Sequence, residues 1–469
     1  MSTKDESSGV ENPNDKTELF ETAPIPRAVM SFAVPMMLGM LVTVVYILAD
    51  TFFVAQTGDP NQVAAVTICM PVFTLCMALG NIFGVGGASY ISRLLGKKDV
   101  ENAKRVSAFA FYMTLVLGIA AGAIMLSMMD AILPLIGATE QTISFSRGYI
   151  TWIAGGASVI ALSFGLGEIL RSVGAAKEAM FGMIAGTALN ILLDPILIFS
   201  LNLGVVGAAI ATIISNTVST LYFIRIIVKK GYPLSVSLKY FKPDKKLVWG
   251  IIAIGIPLSL REILTSVTWM VFNFLGARHG DVFLAAIGIA NVILMLPYMA
   301  VMGLSQGIQP LLGYTYTANL HERLRGILRF TMLTALGIAA LLAALIYFVG
   351  GIVVAAFIDN ADVISLGQYM LYRIAWSIPL LAVLFVLSTV FQAFGKAKQA
   401  LVLSVARQGV VFLPVIIIFN IAFGRDGLIF AMPVADALST LICVGLFLPL
   451  MRELGGDNKK YSKARRLGQ

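Results

Sequence analysis

Long apolar stretches separated by short polar loops run through almost the whole chain. About 20 apolar residues span the ~30 Å hydrocarbon layer as a helix at 1.5 Å per residue. The predicted spans are residues 28–55, 62–83, 106–128, 147–171, 178–200, 206–228, 247–275, 284–307, 327–350, 366–392, 400–420 and 429–450. The pattern therefore predicts an all-α polytopic membrane protein with twelve transmembrane helices.

The pattern occurs twice along the chain. The motif GAAKEA at 174–179 returns as GKAKQA at 395–400, and Pro35 aligns with Pro257. Each copy holds six predicted spans, an even number, so both copies enter the membrane in the same orientation. We therefore expect two six-helix lobes related by a parallel internal repeat. Such a duplication is typical of secondary transporters, which bind substrate where the copies meet.

Polar segments divide the chain into five predicted regions. They are a cytosolic polar tail (1–26), an N-terminal six-helix lobe (27–228), a cytosolic linker (229–246), a C-terminal six-helix lobe (247–452) and a basic cytosolic tail (453–469). The first tail has no apolar core and does not resemble a signal peptide. The loops are too short for a nucleotide-binding or catalytic domain, which argues against an ATP-driven pump and against an enzyme.

The distribution of charge orients the predicted helices. The chain is 58% hydrophobic and 13% charged, with a net charge of +9. Nearly all of its 34 Lys and Arg residues fall on one side if both termini are cytosolic, which leaves Arg261 and Arg373 within spans. This asymmetry is the positive-inside rule. It predicts a multi-pass protein of the cell membrane that contacts anionic lipid, and it argues against binding of nucleic acid.

Polar residues inside the apolar spans are candidates for function, because a charge at bilayer depth costs at least ~2.5 kcal/mol. Asp50, Asn190, Asp194 and Thr212 lie at similar depth in the outer half of the N-terminal lobe. Two carboxylates, an amide and a hydroxyl suit H⁺ or Na⁺, and Asp50, Asn190 and Asp194 would be the Na⁺ ligands. Alternatively, Asn190 and Asp194 only bond neighbouring helices.

Candidate substrate-binding residues lie in the seventh and eighth spans. Glu262, Trp269, Met295, Tyr298 and Met299 combine one acid with aromatic rings and flexible thioethers. These groups make an adaptable pocket for lipophilic cations. The apolar members would equally suit contact with lipid or core, and Glu262 would equally suit a bond to an arginine from another helix.

Five charged residues within the predicted spans need separate interpretations. Glu262 and Arg261 are adjacent and point about 100° apart on a helix, so they need not pair. Glu168 and Arg171 are three residues apart, which favours a structural ion pair. For Asp436, a polar contact between helices is favoured over a role in coupling.

Several motifs together resemble the multidrug and toxic compound extrusion (MATE) family. They are the helix from Pro35 to Asp50, GVGGASYISRLLGKKD (84–99), RSVGAAKEA (171–179), NILLDPILIF (190–199), GVVGAAIATIISN (204–216) and Gln309-Pro310. The inner loops are most similar to the staphylococcal-type multidrug exporters of that family. The resemblance implies a twelve-helix transporter without a cofactor that exchanges H⁺ or Na⁺ for cytosolic organic cations by alternating access.

The resemblance also implies roles for individual residues. The residues matching Asp50, Asn190, Asp194 and Thr212 form a cation site in related transporters, and the one matching Tyr46 lies near it. The tenth span, 366–392, has no acid, which argues against a cation site in the C-terminal lobe. We expect a monomer. The alternatives are a flippase for lipid-linked or other amphipathic substrates of the same superfamily, and a passive channel.

Overall fold

A computed structural model describes residues 18–467, with side chains placed as far as Arg452, except that of Ala55. The polar tail 1–26 therefore lies mostly outside the described residues, and so do the side chains of the basic tail 453–469. Within the described part the secondary structure is helical, without a strand. This confirms the predicted all-α class.

After a helical turn at residues 18–21, the described first half of the chain forms eight α-helices and one π-helical segment. They are α1 (Ile25–Ala55), α2 (Pro60–Gly96), α3 (Val100–Ser127), α4 (Met129–Leu135), α5 (Ile143–Gly155), α6 (Ala157–Ser172), α7 (Ala176–Pro195), the π segment Ile196–Ser200 and α8 (Val205–Lys229). A short 3₁₀ turn, Leu238–Tyr240, lies in the linker.

The described second half also forms eight α-helices and one π-helical segment. It contains α9 (Lys245–Ala277), α10 (Asp281–Gly307), α11 (Gln309–Thr317), α12 (His321–Phe357), α13 (Ala361–Ala375), α14 (Ile378–Ala393), α15 (Ala397–Val405), the π segment Ala406–Phe412 and α16 (Leu413–Leu467). A break in helical geometry interrupts α16 at Gly424, where φ is 58° and ψ is −130°.

Polar loop residues fix where several helices begin. The carboxylate of Asp59 accepts a hydrogen bond from Asn61 N at the start of α2, and Asp99 and Asp244 cap α3 and α9 in the same way. Asn360 caps α13. These side chains satisfy backbone donors that have no partner inside the helix, and the carboxylates also suit the positive end of the helix dipole.

Nine helices of the described chain are long and apolar enough to cross a membrane, and eleven if each strongly bent pair counts as one span. The spans predicted at 147–171 and 366–392 are such pairs. They bend by 55° between α5 and α6 and by 46° between α13 and α14. The hydropathy pattern did not predict these bends. The first bend lies at Gly156, and Pro379 at the start of α14 cannot donate a backbone hydrogen bond across the second.

Glycines allow helices of the two halves to touch along their backbones. A Cβ added to Gly86 on α2 would lie 2.3 Å from Ile251 O on α9, and one added to Gly255 would lie 1.9 Å from Ile82 O. Only glycine permits this approach. The contact lies near the end of the helix bundle where residues 229–246 connect the two halves of the chain. We call this end the linker end.

Other contacts between the halves also lie at the linker end. Ser89 on α2 donates a hydrogen bond of 2.6 Å to Gln392 O on α14. Thr317 Oγ1 at the end of α11 donates to Arg93 O at 2.9 Å. The halves are therefore joined tightly at the end of the molecule where the linker lies.

Residues 18–23, which we call the N-terminal strap, add a further contact between the halves. Phe20 is 4% exposed, and its ring stacks on Tyr314 with centroids 4.6 Å apart. Tyr314 donates to Glu21 Oε1 at 2.6 Å, and Arg323 Nε donates to Phe20 O at 2.7 Å. This part of the predicted mobile tail is therefore packed against the C-terminal half.

Candidate functional site: two cavities and a buried acidic pair

A cavity of about 260 Å³ lies mainly in the N-terminal half. We call it the N-terminal cavity. Helices α1, α2, α6, α7 and α8 line most of it, and α9 and α10 close one side. Its wall includes Met40, Met77, Met183, Met299 and Met302. These flexible thioethers give the wall a shape that adapts to different apolar ligands.

Four of the five residues predicted to bind the coupling ion come together beside this cavity. Tyr46, Asn190 and Thr212 line it, and the Tyr46 and Thr212 hydroxyls lie 3.3 Å apart. Asn190 Nδ2 donates to Asp194 Oδ1 at 3.4 Å.

Asp50 completes the group from α1. It is 5% exposed, Asp194 is 0% exposed, and the two carboxyl groups interact electrostatically. Neither carboxyl group lines the cavity itself. Tyr149, which the sequence did not single out, is buried beside them and interacts electrostatically with Asp50 and Asp194. Only the three-dimensional packing of α5 against α8 reveals it.

Asn190 and Asp194 each have one acceptor oxygen without a partner among the described residues. Asn190 Oδ1 and Asp194 Oδ2 are buried and accept no hydrogen bond from any described residue, and no ion pair there involves either aspartate. Pro195 follows Asp194 directly, and the helix continues as a π segment, which is frequent at functional sites. Two interacting carboxyls in a dry environment do not both ionise cheaply, so the group favours a proton or a bound cation.

The donor set bears on which cation fits. No group of three or more His, Cys, Asp and Glu side chains that could hold a metal ion occurs among the described residues. Carboxylate, amide and hydroxyl oxygens are hard ligands of the kind that suit Na⁺. The same oxygens suit a proton shared by Asp50 and Asp194, so the arrangement is compatible with either ion as a transported species.

A second cavity, of about 380 Å³, lies in the C-terminal half. We call it the C-terminal cavity. All five predicted substrate-binding residues line it: Glu262, Trp269, Met295, Tyr298 and Met299. Glu262 and Met299 also line the N-terminal cavity, so the two cavities meet at these side chains.

The structure settles the contacts of two other intramembrane acids. Arg261 donates to Glu262 Oε1 from Nη2 at 2.6 Å, so these neighbours do pair, although their angular separation on the helix did not require it. Glu168 and Arg171 form the predicted ion pair across one helical turn.

One buried arginine escaped the sequence analysis. Arg407 lies in the π segment Ala406–Phe412 and donates to Asp436 Oδ1 from Nη2 at 3.0 Å. The favoured polar contact for Asp436 is therefore an ion pair between helices. An arginine inside the predicted span 400–420 could have indicated this ion pair. It was overlooked because Arg407 lies near the basic inner loop.

Known proteins resemble this chain over most of its length. The MatE family model matches residues 35–196 and again 257–418. Multidrug export protein MepA of Staphylococcus saprophyticus is 34% identical over 434 residues, covering 92% of this chain and 96% of that protein. MepA of Staphylococcus aureus matches with the same identity and coverage.

Solved structures match over nearly the whole chain as well. The crystal structure of MATE in complex with MaL6 has a TM-score of 0.88 at 27% identity, covering 95% of this chain and 99% of that one. The outward-facing conformation of a multidrug resistance MATE family transporter of the MOP superfamily also has a TM-score of 0.88 at 27% identity, covering 96% and 100%.

Proposed function

The chain belongs to the MatE family of multidrug efflux transporters, which are not enzymes, and we propose that it exports organic cations in exchange for H⁺ or Na⁺. The observation that carries this proposal is the buried pair Asp50 and Asp194, together with Asn190 Oδ1 and Asp194 Oδ2, which accept no hydrogen bond from any described residue. An antiporter needs such a group, because its occupancy must alternate with that of the substrate.

We further propose twelve spans in two six-helix lobes. The eleven candidate spans include one of 56 residues, and the break at Gly424 divides it into two of ordinary length. The family model matches once in each half, and the strongly bent spans occupy equivalent places in the two halves. The proposed lobes are 27–228 and 247–452, joined by the linker 229–246.

Coupling is assigned to the N-terminal lobe. Pairing Pro35 with Pro257 places Phe272 opposite Asp50, and pairing Gly174 with Gly395 places Val415 opposite Asp194. Both of these residues are apolar, so the C-terminal lobe has hydrocarbon side chains where the N-terminal lobe has two acids. A proton or Na⁺ bound by Asp50, Asn190, Asp194, Thr212 and Tyr46 relieves the repulsion between the carboxyls and lets the lobe repack.

Organic cations are the substrates that the N-terminal cavity suits. Its ion pair Glu168–Arg171 carries no net charge, and the acidic pair adds negative charge behind the wall. A lipophilic cation in this cavity gains from that field and from the methionine surface, and it competes with the coupling ion. The substrate therefore leaves when the ion arrives.

Orientation and setting follow from charge. We propose that the chain is a monomer in the cell membrane. We also propose that both termini lie in the cytosol, because the basic residues cluster at the linker end. The lobes touch at that end, so the cavities communicate with the opposite, outer side in this conformation. Alternating access then requires the linker end to open.

Transport into proteoliposomes with separately imposed pH and Na⁺ gradients tests the proposal. The wild-type chain should move a cationic dye with one or both gradients, whereas Asp50→Asn and Asp194→Asn should remove the dependence on the gradient. Glu262→Gln should change substrate preference more than coupling. Asp130→Asn, which removes an exposed carboxylate from an ion pair with Arg147, is the matched control.

Two results would contradict the proposal. Gradient-driven export by the Asp50→Asn and Asp194→Asn proteins at the wild-type rate would remove the coupling site. Transfer of a fluorescent lipid between leaflets, without export of any cationic dye, would favour a flippase instead.

A further inference from the structure

The C-terminal cavity differs from the N-terminal one in its charge. Its ionisable lining groups are Glu262, Arg407 and Asp436. Arg407 pairs with Asp436, and Glu262 pairs with Arg261, so the four charges cancel. A simple organic cation that entered this cavity would find no unbalanced negative charge to offset the loss of its hydration.

A π segment brings two adjacent polar side chains to this cavity. Here Arg407 and Gln408 both line the cavity, and both lie in the π segment Ala406–Phe412. Such segments are rare and are frequently found at functional sites.

Each of these side chains keeps one hydrogen-bonding group unused. Arg407 directs Nε and Nη2 to the same oxygen of Asp436, at 3.3 and 3.0 Å, and Nη1 donates to no described residue. The other oxygen of Asp436 accepts from Ser377 Oγ at 3.3 Å. Gln408 is 5% exposed, and its Oε1 accepts no hydrogen bond within the described chain. The cavity therefore holds a guanidinium donor beside an orphaned acceptor.

Aromatic rings complete the wall around this polar pair. Tyr298 and Phe385 meet edge to face with centroids 5.1 Å apart. The Arg407 guanidinium carbon lies 5.9 Å from the first ring and 5.6 Å from the second, and Trp269 lines the same cavity. A resident cation thus already occupies the aromatic faces that an organic cation would use.

We propose that the C-terminal cavity binds aromatic compounds that carry a carboxylate and a neighbouring N–H donor. The carboxylate accepts from Nη1 of Arg407, the N–H donates to Oε1 of Gln408, and the ring packs against Tyr298 and Phe385. The two lobes then recognise ligands of different charge, cations beside the acidic pair and carboxylates beside Arg407. That these ligands are exported rests on the proposed function, but their binding does not.

A pair of dyes provides the test. N-Methylanthranilic acid, a fluorescent aromatic compound with an N–H beside its carboxylate, and its methyl ester differ only in the group that Arg407 would recognise. Their binding to the purified full-length chain is measured by fluorescence polarisation, without any ion gradient. The key variant is Arg407→Gln with Asp436→Asn, which removes both charges together and leaves no lone buried ion. Arg147→Gln with Asp130→Asn removes an exposed ion pair as the matched control.

The expected result is selective. The Arg407→Gln, Asp436→Asn protein should lose roughly 10- to 100-fold in affinity for the carboxylate dye, the effect of one charge-assisted hydrogen bond. Its affinity for the methyl ester should stay within about twofold, since a neutral ester forms no such bond. Gln408→Met, which keeps the side-chain length, should weaken the carboxylate dye several-fold through the lost acceptor.

Other outcomes overturn the inference. Equal affinity of the wild type for both dyes, an unchanged affinity of the double variant for the carboxylate dye, or an equal loss for both dyes would each refute it. Selective binding of the carboxylate dye, together with no gradient-driven export of any cationic dye, would instead contradict the proposed function while leaving the carboxylate site intact.

Discussion

The glycine contact between the two halves predicts how a single methyl group alters the conformational balance. Changing Gly86 to alanine places a Cβ 2.3 Å from Ile251 O. The two backbones must separate by about 1 Å to restore ordinary van der Waals contact. Overpacking of this kind costs about 1–3 kcal/mol, and the cost applies only while the halves touch at the linker end. The population with that end open should therefore rise roughly 5- to 150-fold.

Cysteine labelling measures this shift. Ser89 is 0% exposed and bonds across the same interface to Gln392 O, so Ser89→Cys should react with a maleimide only when the linker end opens. The three native cysteines are first replaced by alanine. The labelling rate in the Gly86→Ala protein should then increase by the factor given above.

Gly80→Ala is a closely matched control on the same helix. Its added Cβ would lie 2.2 Å from Ala161 O, a clash of the same size, but both residues belong to the N-terminal half. This variant should lower thermal stability without changing the labelling of Ser89→Cys. Equal labelling rates in the two glycine variants, or no change in either, would refute the reasoning.

Three further results are expected. Tyr46→Phe removes the hydroxyl 3.3 Å from Thr212 and should weaken coupling-ion affinity several-fold, measured as a higher ion concentration for half-maximal transport; unchanged affinity would exclude a ligand role. Cysteines at Ser235 and Asn360 should label oppositely on intact cells, with Asn360 outside; labelling of Ser235 alone would reverse the topology. Phe20→Ala should cost about 3 kcal/mol of strap packing and speed limited proteolysis before α1, whereas unchanged digestion would show that the strap is not bound.

The apolar pattern predicted the helices well because a membrane-length helix needs little beyond length and hydropathy. The bends within two predicted spans were missed, because hydropathy carries no information on the direction of the helix axis. The bends occur at short breaks near Gly156 and Ser377. Phe20 was missed for a different reason. It is one apolar residue in a polar segment, and its partner Tyr314 lies 293 residues beyond its neighbour Glu21.

The acidic site was accessible to sequence reasoning because buried charge is costly and therefore conspicuous. Asp50 and Asp194 were identified in this way. Their positions along the predicted spans placed both at a similar depth in the membrane. The side chains that contact each buried charged residue could not be predicted from the sequence. The pairing of Arg407 with Asp436, and the closeness of Tyr149 to the acids, depend on helix packing and on a π segment that local sequence does not reveal.

The N-terminal strap also bears on the order in which the molecule assembles. Residues 18–23 are synthesised before Tyr314 and Arg323, which bind them and lie some 300 residues later in the chain. Segments so distant in sequence meet late, because closing a long loop costs entropy before any contact forms. The strap therefore stays unbound while the N-terminal half folds. It docks only after the part of the C-terminal half that carries Tyr314 and Arg323 has folded.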